Sequence, residues 1–245
     1  MRIIFYTIHT AIIYIVVFID SVIFSILSII TGIFNPYSNA TNWNIKSWAR
    51  VILWISGIKL TVEGLENVDP QKSYIFAMNH ISLYDIPAAF VAIPQTGRFI
   101  AKKELFKIPL LSTAMRLAGI LKIDRGNSAE ARKTLEKAIQ TIQKGCSVII
   151  FPEGTRSKTN EIQAFKKGGF IMAIQGSIAI LPTIISGTQY IVPKGSGLVK
   201  IGHIRIKFMP EVDTKDYSYE QRNKLLHKVR DIIVKEFDPA YNKKD

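Results

Sequence analysis

The chain has 245 residues, enough for one substantial globular domain with an appendage, and 48% of them are hydrophobic. Its 32 basic and 19 acidic residues give a formal net charge of +13, which suits an anionic partner such as a lipid surface, a nucleic acid or a phosphorylated substrate. The single cysteine, Cys146, excludes an intramolecular disulfide and any multi-cysteine metal site.

The first predicted element is an apolar N-terminal segment in which Asp20 is the only charged residue between Ile3 and Phe34. Its first apolar run, residues 3–19, is too long for a signal peptide, and no small-residue cleavage site follows it. As a helix this run is roughly 26 Å long, at the lower limit for crossing a bilayer core. An acid near the middle of a spanning helix is costly in hydrocarbon, so we predict two helices that bend near Asp20 and Ser21 and enter one side of the membrane only. A single span and a soluble core helix are the alternatives.

The next segment, residues 43–58, mixes three tryptophans with Lys46 and Arg50. Aromatic and basic side chains in this combination favour the headgroup level of a membrane. Residues 1–57 contain only three of the basic residues and one of the acidic ones, so residues 58–245 carry a net charge of +11. We therefore predict two regions, membrane-binding helices over 1–57 and a basic globular domain over 58–245.

The globular region alternates short apolar runs with polar helical segments. Strands are predicted at residues 59–64, 73–77, 98–101, 119–123, 147–151, 178–185 and 201–208. The clearest helix opens at Ser128 and stops before Gly145, and the last runs from about Tyr219 to Phe237. This order predicts an α/β fold with a mixed, largely parallel sheet flanked by helices, preceded by the membrane-embedded helical segment.

A polar cluster follows the second predicted strand, in the sequence NHISLYD at residues 79–85. His80 and Asp85 suit acid–base chemistry, but five residues on a helix leave two side chains roughly 140° apart, and an odd step on a strand puts them on opposite faces. Only a strand-to-helix turn brings the two together, so that Asp85 orients the imidazole and leaves one ring nitrogen free to take a proton. The alternative is a capping box from Ser82 to Asp85, with His80 merely satisfying a turn.

Two basic clusters also follow predicted strands. The sequence FPEGTRS at residues 151–157 offers backbone N–H groups, two hydroxyls and the planar guanidinium of Arg156, which together suit a phosphate. A plain turn with a solvated Arg156 is the alternative. Lys102, Lys103 and Arg125 come just after other strands, and strand C-termini are where open α/β sheets bind ligands. These residues therefore either converge on one anion or form ordinary basic surface.

Four motifs in order resemble those of the glycerolipid acyltransferases, specifically the 1-acyl-sn-glycerol-3-phosphate acyltransferases. They are NHISLYD, GILKIDR at 119–125, FPEGTRS, and Leu181 with Pro182. The resemblance covers about residues 74–187 and implies that His80 is the general base and Asp85 its partner. It also implies a set of residues that bind the acceptor's glycerol phosphate, namely Arg125, Glu153, Gly154, Thr155 and Arg156, with Lys102 or Lys103 assisting. One departure is Lys122, where the family usually has an apolar residue.

The resemblance implies transfer of a fatty acyl group from acyl-CoA or acyl carrier protein to the sn-2 hydroxyl of lysophosphatidic acid, which makes phosphatidic acid in phospholipid biosynthesis. Because a thiolate leaves readily, we expect neither an enzyme nucleophile nor a metal or cofactor. Glycerol 3-phosphate or another lysophospholipid is the alternative acceptor, and a non-catalytic membrane lipid-binding protein is the alternative class. Only the charge favours a nucleic-acid partner, and we expect none. We expect the protein on an anionic surface at the cytoplasmic face of the cell membrane, monotopic or held by a single span.

Overall fold

The computed structural model describes residues 2–157, 159–192 and 197–241, and contains a seven-stranded mixed sheet flanked by helices. The strands are β1 (Ile58–Glu63), β2 (Ile75–Met78), β3 (Gly97–Lys102), β4 (Leu121–Ile123), β5 (Ser147–Ile150), β6 (Ile180–Ser186) and β7 (Gly202–Phe208). Their order across the sheet is β1-β7-β6-β2-β5-β3-β4, and only β6 and β7 pair antiparallel. The five strands from β6 to β4 are therefore parallel to one another. The predicted fold class is confirmed, and each predicted strand overlaps an observed one.

Eight α-helices surround the sheet in the described part of the chain. They are α1 (Arg2–Phe34), α2 (Asn39–Ile55), α3 (Asp85–Ala92), α4 (Leu111–Leu117), α5 (Ser128–Gln143), α6 (Gly168–Gly176), α7 (Thr188–Ile191) and α8 (Arg222–Glu236). The start of α5 has a local cause, because the Asn127 side chain accepts hydrogen bonds from the backbone N–H groups of Ala129 and Glu130. Gly145, with φ of 88°, ends that segment in a conformation that glycine adopts without strain.

The two faces of the sheet bury different sets of helices. Phe76 and Met78 of β2 belong to one hydrophobic core with residues of α2 and α3, whereas Ile75 and Ala77 belong to a second core with residues of α5, α6 and α8. Helix α2 therefore shares a core with the sheet, although it lies in the predicted N-terminal region. The boundary between 57 and 58 falls in the short connection from α2 to β1 and stays a prediction.

The predicted bend near Asp20 and Ser21 is wrong, because α1 is one continuous helix of 33 residues. The bend was expected to spare an acid from lipid, but the protein itself covers Asp20, which is only 6% exposed. Ser21 is also engaged, since its hydroxyl accepts a hydrogen bond from the Trp48 indole at 3.1 Å. Contacts with the rest of the protein thus remove the reason for a break.

Helix α1 is held along its length. In its first half, Tyr14 donates to the carbonyl of Gly197 at 2.7 Å, and the N–H of Val199 donates to the hydroxyl of Thr10 at 2.9 Å. Near its end, a Cβ atom added at Gly32 would lie 2.4 Å from the Leu117 carbonyl oxygen, so glycine allows α1 and α4 to approach closely. The other side of α1 exposes a long row of large apolar side chains, and residues 3–34 are long and apolar enough to cross or anchor in a membrane.

Arg98 ties the connection between α1 and α2 to the sheet. Its guanidinium is fully buried and donates to the backbone carbonyls of Pro36 and Ala118 and to the side chain of Asn42. No carboxylate neutralises it among the described residues, so carbonyl and amide oxygens alone solvate the charge. Arg98 thereby fixes the two N-terminal helices against the end of α4.

Candidate active site

The predicted site residues meet at one edge of the sheet. Strands β2, β5, β3 and β4 are consecutive neighbours and parallel, so their C-terminal ends lie side by side. His80 follows β2, Gly154 follows β5, Lys102 ends β3 and Arg125 follows β4. All four residues line a single pocket, which has a volume of about 930 Å³. The C-terminal edge of an open parallel sheet is the usual place for a ligand, and the sequence placed these residues there.

His80 and Asp85 form the pair predicted from their spacing across a strand-to-helix turn. The Nδ1 of His80 and the Oδ2 of Asp85 are 2.8 Å apart, and Asp85 is fully buried at the first residue of α3. The same oxygen accepts hydrogen bonds from the backbone N–H groups of Ile81 at 2.7 Å and Ser82 at 2.9 Å. When Nδ1 donates to Asp85, the ring nitrogen Nε2 is left to the pocket as a proton acceptor.

Only half of the capping-box alternative is present. The Asp85 carboxylate accepts from the Ser82 N–H, but the Ser82 hydroxyl accepts the N–H of Tyr84 and not that of Asp85. Tyr84, not Ser82, is the N-cap residue of α3, and no side chain in the described part of the chain caps that helix. The carboxylate of Asp85 instead bonds the turn that precedes the helix. Its contacts therefore serve His80 and the strand-to-helix turn.

The ring of His80 is also fixed by aromatic stacking. Phe151, the residue after β5, lies parallel to the imidazole with ring centroids 3.9 Å apart and an interplanar angle of 8°. Phe99 of β3 stacks behind Phe151 at 5.2 Å. Phe151 opens the FPEGTRS motif, but no role was predicted for it or for Phe99, because the stack forms only when β5 pairs with β2 and β3. Together with Asp85, the stack sets both the tilt and the rotation of the imidazole.

Glu153 lies behind His80 and does not line the pocket. It is only 2% exposed, and one carboxylate oxygen accepts from the backbone N–H of His80 at 2.7 Å while the other accepts from that of Gln163 at 2.9 Å. Burial raises the pKa of Glu153, and these two hydrogen bonds oppose the rise. The resemblance implied contact with the acceptor, but both oxygens are engaged by backbone groups. The geometry thus gives Glu153 the role of positioning His80.

A cationic end of the pocket is built around Gly154. The guanidinium of Arg125 donates to the Gly154 carbonyl, and burial lowers the pKa of Arg125. A Cβ atom at Gly154 would lie 2.9 Å from Arg125 Nη1 and 3.0 Å from Lys166 Cε, so only glycine lets both cations pack over this turn. Thr155 and Arg156 are exposed and line the same end. Lys166 was missed by the sequence analysis, although the basic sequence FKKGG at 165–169 was its signal.

The two predicted lysines differ in their contacts. Lys103 lies 2.8 Å from Asp124, and this hydrogen bond raises the pKa of Lys103 and lowers that of Asp124. Lys102 makes no ion pair among the described residues, and both lysines line the pocket. Lys102 is thus the lysine whose charge is available to an anion.

The opposite end of the pocket is apolar and lies among α1, α2, α3 and α4. It is lined by Phe24, Ile45, Trp48, Leu83, Ile86, Phe90, Leu111, Ala114 and Met115. Ser21, Ser25 and Ser28 of α1 complete this end. A pocket with one cationic and one apolar end, joined at a histidine, fits an amphiphile that carries an anionic head and a hydrocarbon tail.

Comparisons with known proteins agree with this arrangement. A family model described as Acyltransferase matches residues 59–186. The chain is 35% identical to a 1-acyl-sn-glycerol-3-phosphate acyltransferase of Cocos nucifera over 81% of its own length and 65% of that protein, so it spans just under two thirds of this relative. It is 31% identical to one of Borreliella burgdorferi, over 79% of this chain and 78% of that protein. The crystal structure of the 1-acyl-sn-glycerophosphate (LPA) acyltransferase PlsC of Thermotoga maritima superposes with a TM-score of 0.81 at 27% identity, covering 96% of this chain and 95% of that one.

Proposed function

The chain belongs to the acyltransferase family, and from this premise we propose that it transfers a fatty acyl group from an acyl thioester to the sn-2 hydroxyl of 1-acylglycerol 3-phosphate, making phosphatidic acid. One observation carries the proposal: the His80–Asp85 pair lies where the cationic and apolar ends of one pocket meet. The relatives' names give this acceptor, which has a phosphate at one end and an acyl chain at the other.

The reaction needs a base for the acceptor hydroxyl. Nε2 of His80 takes the hydroxyl proton as the oxygen attacks the thioester carbonyl, while Asp85 holds the Nδ1 proton and stabilises the imidazolium that forms. The tetrahedral intermediate collapses by breaking the carbon–sulfur bond, and the thiolate leaves. A cysteine thiol has an unperturbed pKa of about 8.5, and a donor thiol of similar acidity leaves as the thiolate without prior protonation. The imidazolium of His80 then passes its proton to the thiolate or to water, which restores the base. The chemistry requires no enzyme nucleophile, metal or cofactor.

The cationic end binds the acceptor phosphate. Arg156 presents a planar fork that matches two phosphate oxygens, and the turn through Gly154 and Thr155 carries it to the pocket rim. Arg125 is partly occupied by the Gly154 carbonyl and adds charge from one side, and Lys102 and Lys166 add charge from the others. With the phosphate held here, the sn-2 hydroxyl is directed to His80 and the acyl chains to the apolar end.

Helix α1 lies in one leaflet and does not cross the bilayer. Its middle residues, Ser21 and Ser28, line the same pocket as the charged groups of Asp124 and Arg125. A helix perpendicular to the membrane would carry these charges to the bilayer centre, which is costly. A helix lying in the cytoplasmic leaflet keeps them at the headgroup level and points its exposed apolar side toward the acyl chains. The +11 charge of residues 58–245 then faces anionic headgroups.

The experiment that tests the proposal measures thiol release by the purified full-length protein. Acyl-CoA and acyl-loaded acyl carrier protein are each offered with lysophosphatidic acid, glycerol 3-phosphate or a lysophospholipid that lacks a terminal phosphate. We expect release to be fastest with lysophosphatidic acid and to be lost in His80→Ala. Faster release with another acceptor would correct the substrate. No release with any acceptor, from a folded protein that still binds these lipids, would favour the non-catalytic class.

A further inference from the structure

The connection from β3 to α4, residues 103–111, carries an unusual set of exposed apolar side chains. It opens with a short 3-10 helix (Lys103–Lys107) and then turns into α4. Leu105, Ile108 and Leu110 are 41%, 47% and 37% exposed, although they lie within six residues of one another. Lys107 lies between Leu105 and Ile108 and is also exposed. We call residues 103–111 the portal loop.

The backbone of the portal loop is strained where it presents its last leucine. Leu110 has φ of 61° and ψ of −59°, and the N–H of Leu111 donates to the carbonyl of Pro109 at 2.7 Å, which closes a γ-turn. Ser177, which caps α6, is the only other non-glycine residue with positive φ in the described chain. Glycine would fit this turn without strain, yet the chain has a large apolar side chain here. Backbone strain of this kind is concentrated at functional segments, which indicates a functional role for the exposed Leu110.

The elements next to the portal loop indicate what covers its apolar side chains. Helix α4 follows the loop directly and packs against α1 at Gly32, so the loop adjoins the helix whose apolar side enters lipid under the proposed function. Leu105 lines the pocket, and so does Leu83, which is 58% exposed. Exposed apolar side chains next to an apolar membrane helix, with Lys107 among them, match the acyl chains and anionic headgroups of one leaflet.

We propose that the portal loop is a second membrane contact and the entry for the lipid acceptor. Leu105, Ile108 and Leu110 insert among the acyl chains while Lys107 binds the headgroups of anionic lipid. Leu105, which also lines the pocket, then lies between the leaflet and the site, so that a lysophospholipid enters past it. This assignment rests on the proposed function for the identity of the lipid that enters, but the insertion itself does not depend on turnover.

Insertion is tested by fluorescence, with single cysteines that carry a polarity-sensitive dye in a Cys146→Ser background. The full-length protein carries the dye at Ile108→Cys in the portal loop or at Ile19→Cys on the exposed side of α1. The control position is Glu220→Cys, just before α8, because α8 packs on the other face of the sheet. With vesicles rich in phosphatidylglycerol we expect a blue shift at positions 108 and 19 and none at 220. A shift at 19 without one at 108 would overturn the portal loop and leave the membrane role of α1 standing. A shift at 108 that depends on protein concentration without vesicles would assign the loop to a second copy of the chain and also overturn the proposal.

The entry role is tested with two variants that do not line the pocket. Leu110→Gly removes an apolar side chain where glycine fits the backbone, and Ile108→Asp adds a charge at an exposed site. Each should weaken binding to anionic vesicles by roughly tenfold, the cost of withdrawing one large aliphatic side chain from an apolar medium. KM for long-chain lysophosphatidic acid in vesicles should rise, while kcat/KM for a short-chain, monomeric lysophosphatidic acid stays unchanged. Equal losses on both acceptors, or no loss on either, would overturn the entry role. If the wild-type protein turns over none of the acceptors, the proposed function is wrong. The insertion of the portal loop is still tested in that case, because the fluorescence shift is measured without turnover.

Discussion

The buried carboxylate of Glu153 accepts a hydrogen bond from the backbone N–H of His80 at 2.7 Å, across 73 positions of sequence. A second hydrogen bond joins the same two segments, from the N–H of Ser157 to the carbonyl of His80 at 2.8 Å. The segment that binds the phosphate in our proposal therefore also holds the base. A change in this segment should alter chemistry as well as affinity.

The first prediction concerns Glu153→Gln. The amide keeps one acceptor and replaces the other by a donor, so the bond from either His80 or Gln163 is lost. We expect kcat to fall by roughly 10- to 100-fold through misplacement of the base, with KM for the acceptor little changed. Steady-state kinetics on the folded variant measure both. A raised KM with an unchanged kcat would instead mean that Glu153 contacts the acceptor.

The second prediction tests the base itself. His80→Ala should lower kcat by at least roughly 10² to 10⁴, the usual contribution of general-base catalysis, while the fold survives. Asp85→Asn should also be slow, because the amide can no longer hold the Nδ1 proton of His80 as a carboxylate does. Circular dichroism and thermal melting check the fold. Near-normal turnover in a well-folded His80→Ala protein would rule out the proposed mechanism.

Structural features that depend on residues close together in the sequence could be predicted, whereas contacts between segments distant in the sequence could not. The strands were visible as apolar runs, and the meeting of His80 with Asp85 followed from a spacing that only a strand-to-helix turn satisfies. The contact of Glu153 with His80 needed the pairing of β2 with β5, which no local pattern encodes. The continuity of α1 was missed for the same reason, since the burial of Asp20 depends on how the rest of the folded protein packs on α1.

The third prediction concerns Arg156→Lys, which keeps the charge and removes the planar fork. We expect KM for lysophosphatidic acid to rise, because a single ammonium cannot bind two phosphate oxygens in parallel, while KM for the acyl donor changes less. Arg132→Lys is the matched control, since Arg132 is exposed on α5 and pairs with Glu136 outside the pocket. An unchanged acceptor KM in a folded Arg156→Lys protein would identify a solvated arginine.

The fourth prediction uses Cys146, whose thiol is buried beside β5. Burial raises the pKa of Cys146 from 9.0 to about 11. At pH 8 a thiol-specific reagent should therefore modify the folded protein slowly, and the rate should follow the fraction of unfolded chain in urea. Rapid modification without urea would show that the thiol of Cys146, next to the start of β5, is accessible to the reagent in the folded protein.

The same shift has a consequence for stability. Between pH 9 and 11 the folded protein keeps the Cys146 proton that the unfolded chain has lost, so the free energy of unfolding falls as pH rises through this window, by about 3 kcal/mol in all. Cys146→Ser is the control, because it removes this titration and keeps those of the lysines and tyrosines. Urea unfolding at several pH values measures the free energy of unfolding of both proteins. Above pH 9 the value for the wild-type protein should fall relative to that for Cys146→Ser, and below pH 9 the difference between them should stay constant.

The last prediction concerns the orientation of α1. Its 33 residues are roughly 50 Å long as a helix, longer than the hydrocarbon core, so length alone permits either a tilted span or a helix within one leaflet. The bonds of Tyr14 and Thr10 to residues 197–199 favour a helix within one leaflet, because they hold the first half of α1 against the same domain as the second half. A cysteine at position 2 in a Cys146→Ser background should then react with a membrane-impermeant maleimide only after cells are permeabilised, as should Glu220→Cys on the domain. Labelling of position 2 in intact cells, with position 220 protected, would require α1 to cross the bilayer and to leave its contacts with Gly197 and Val199.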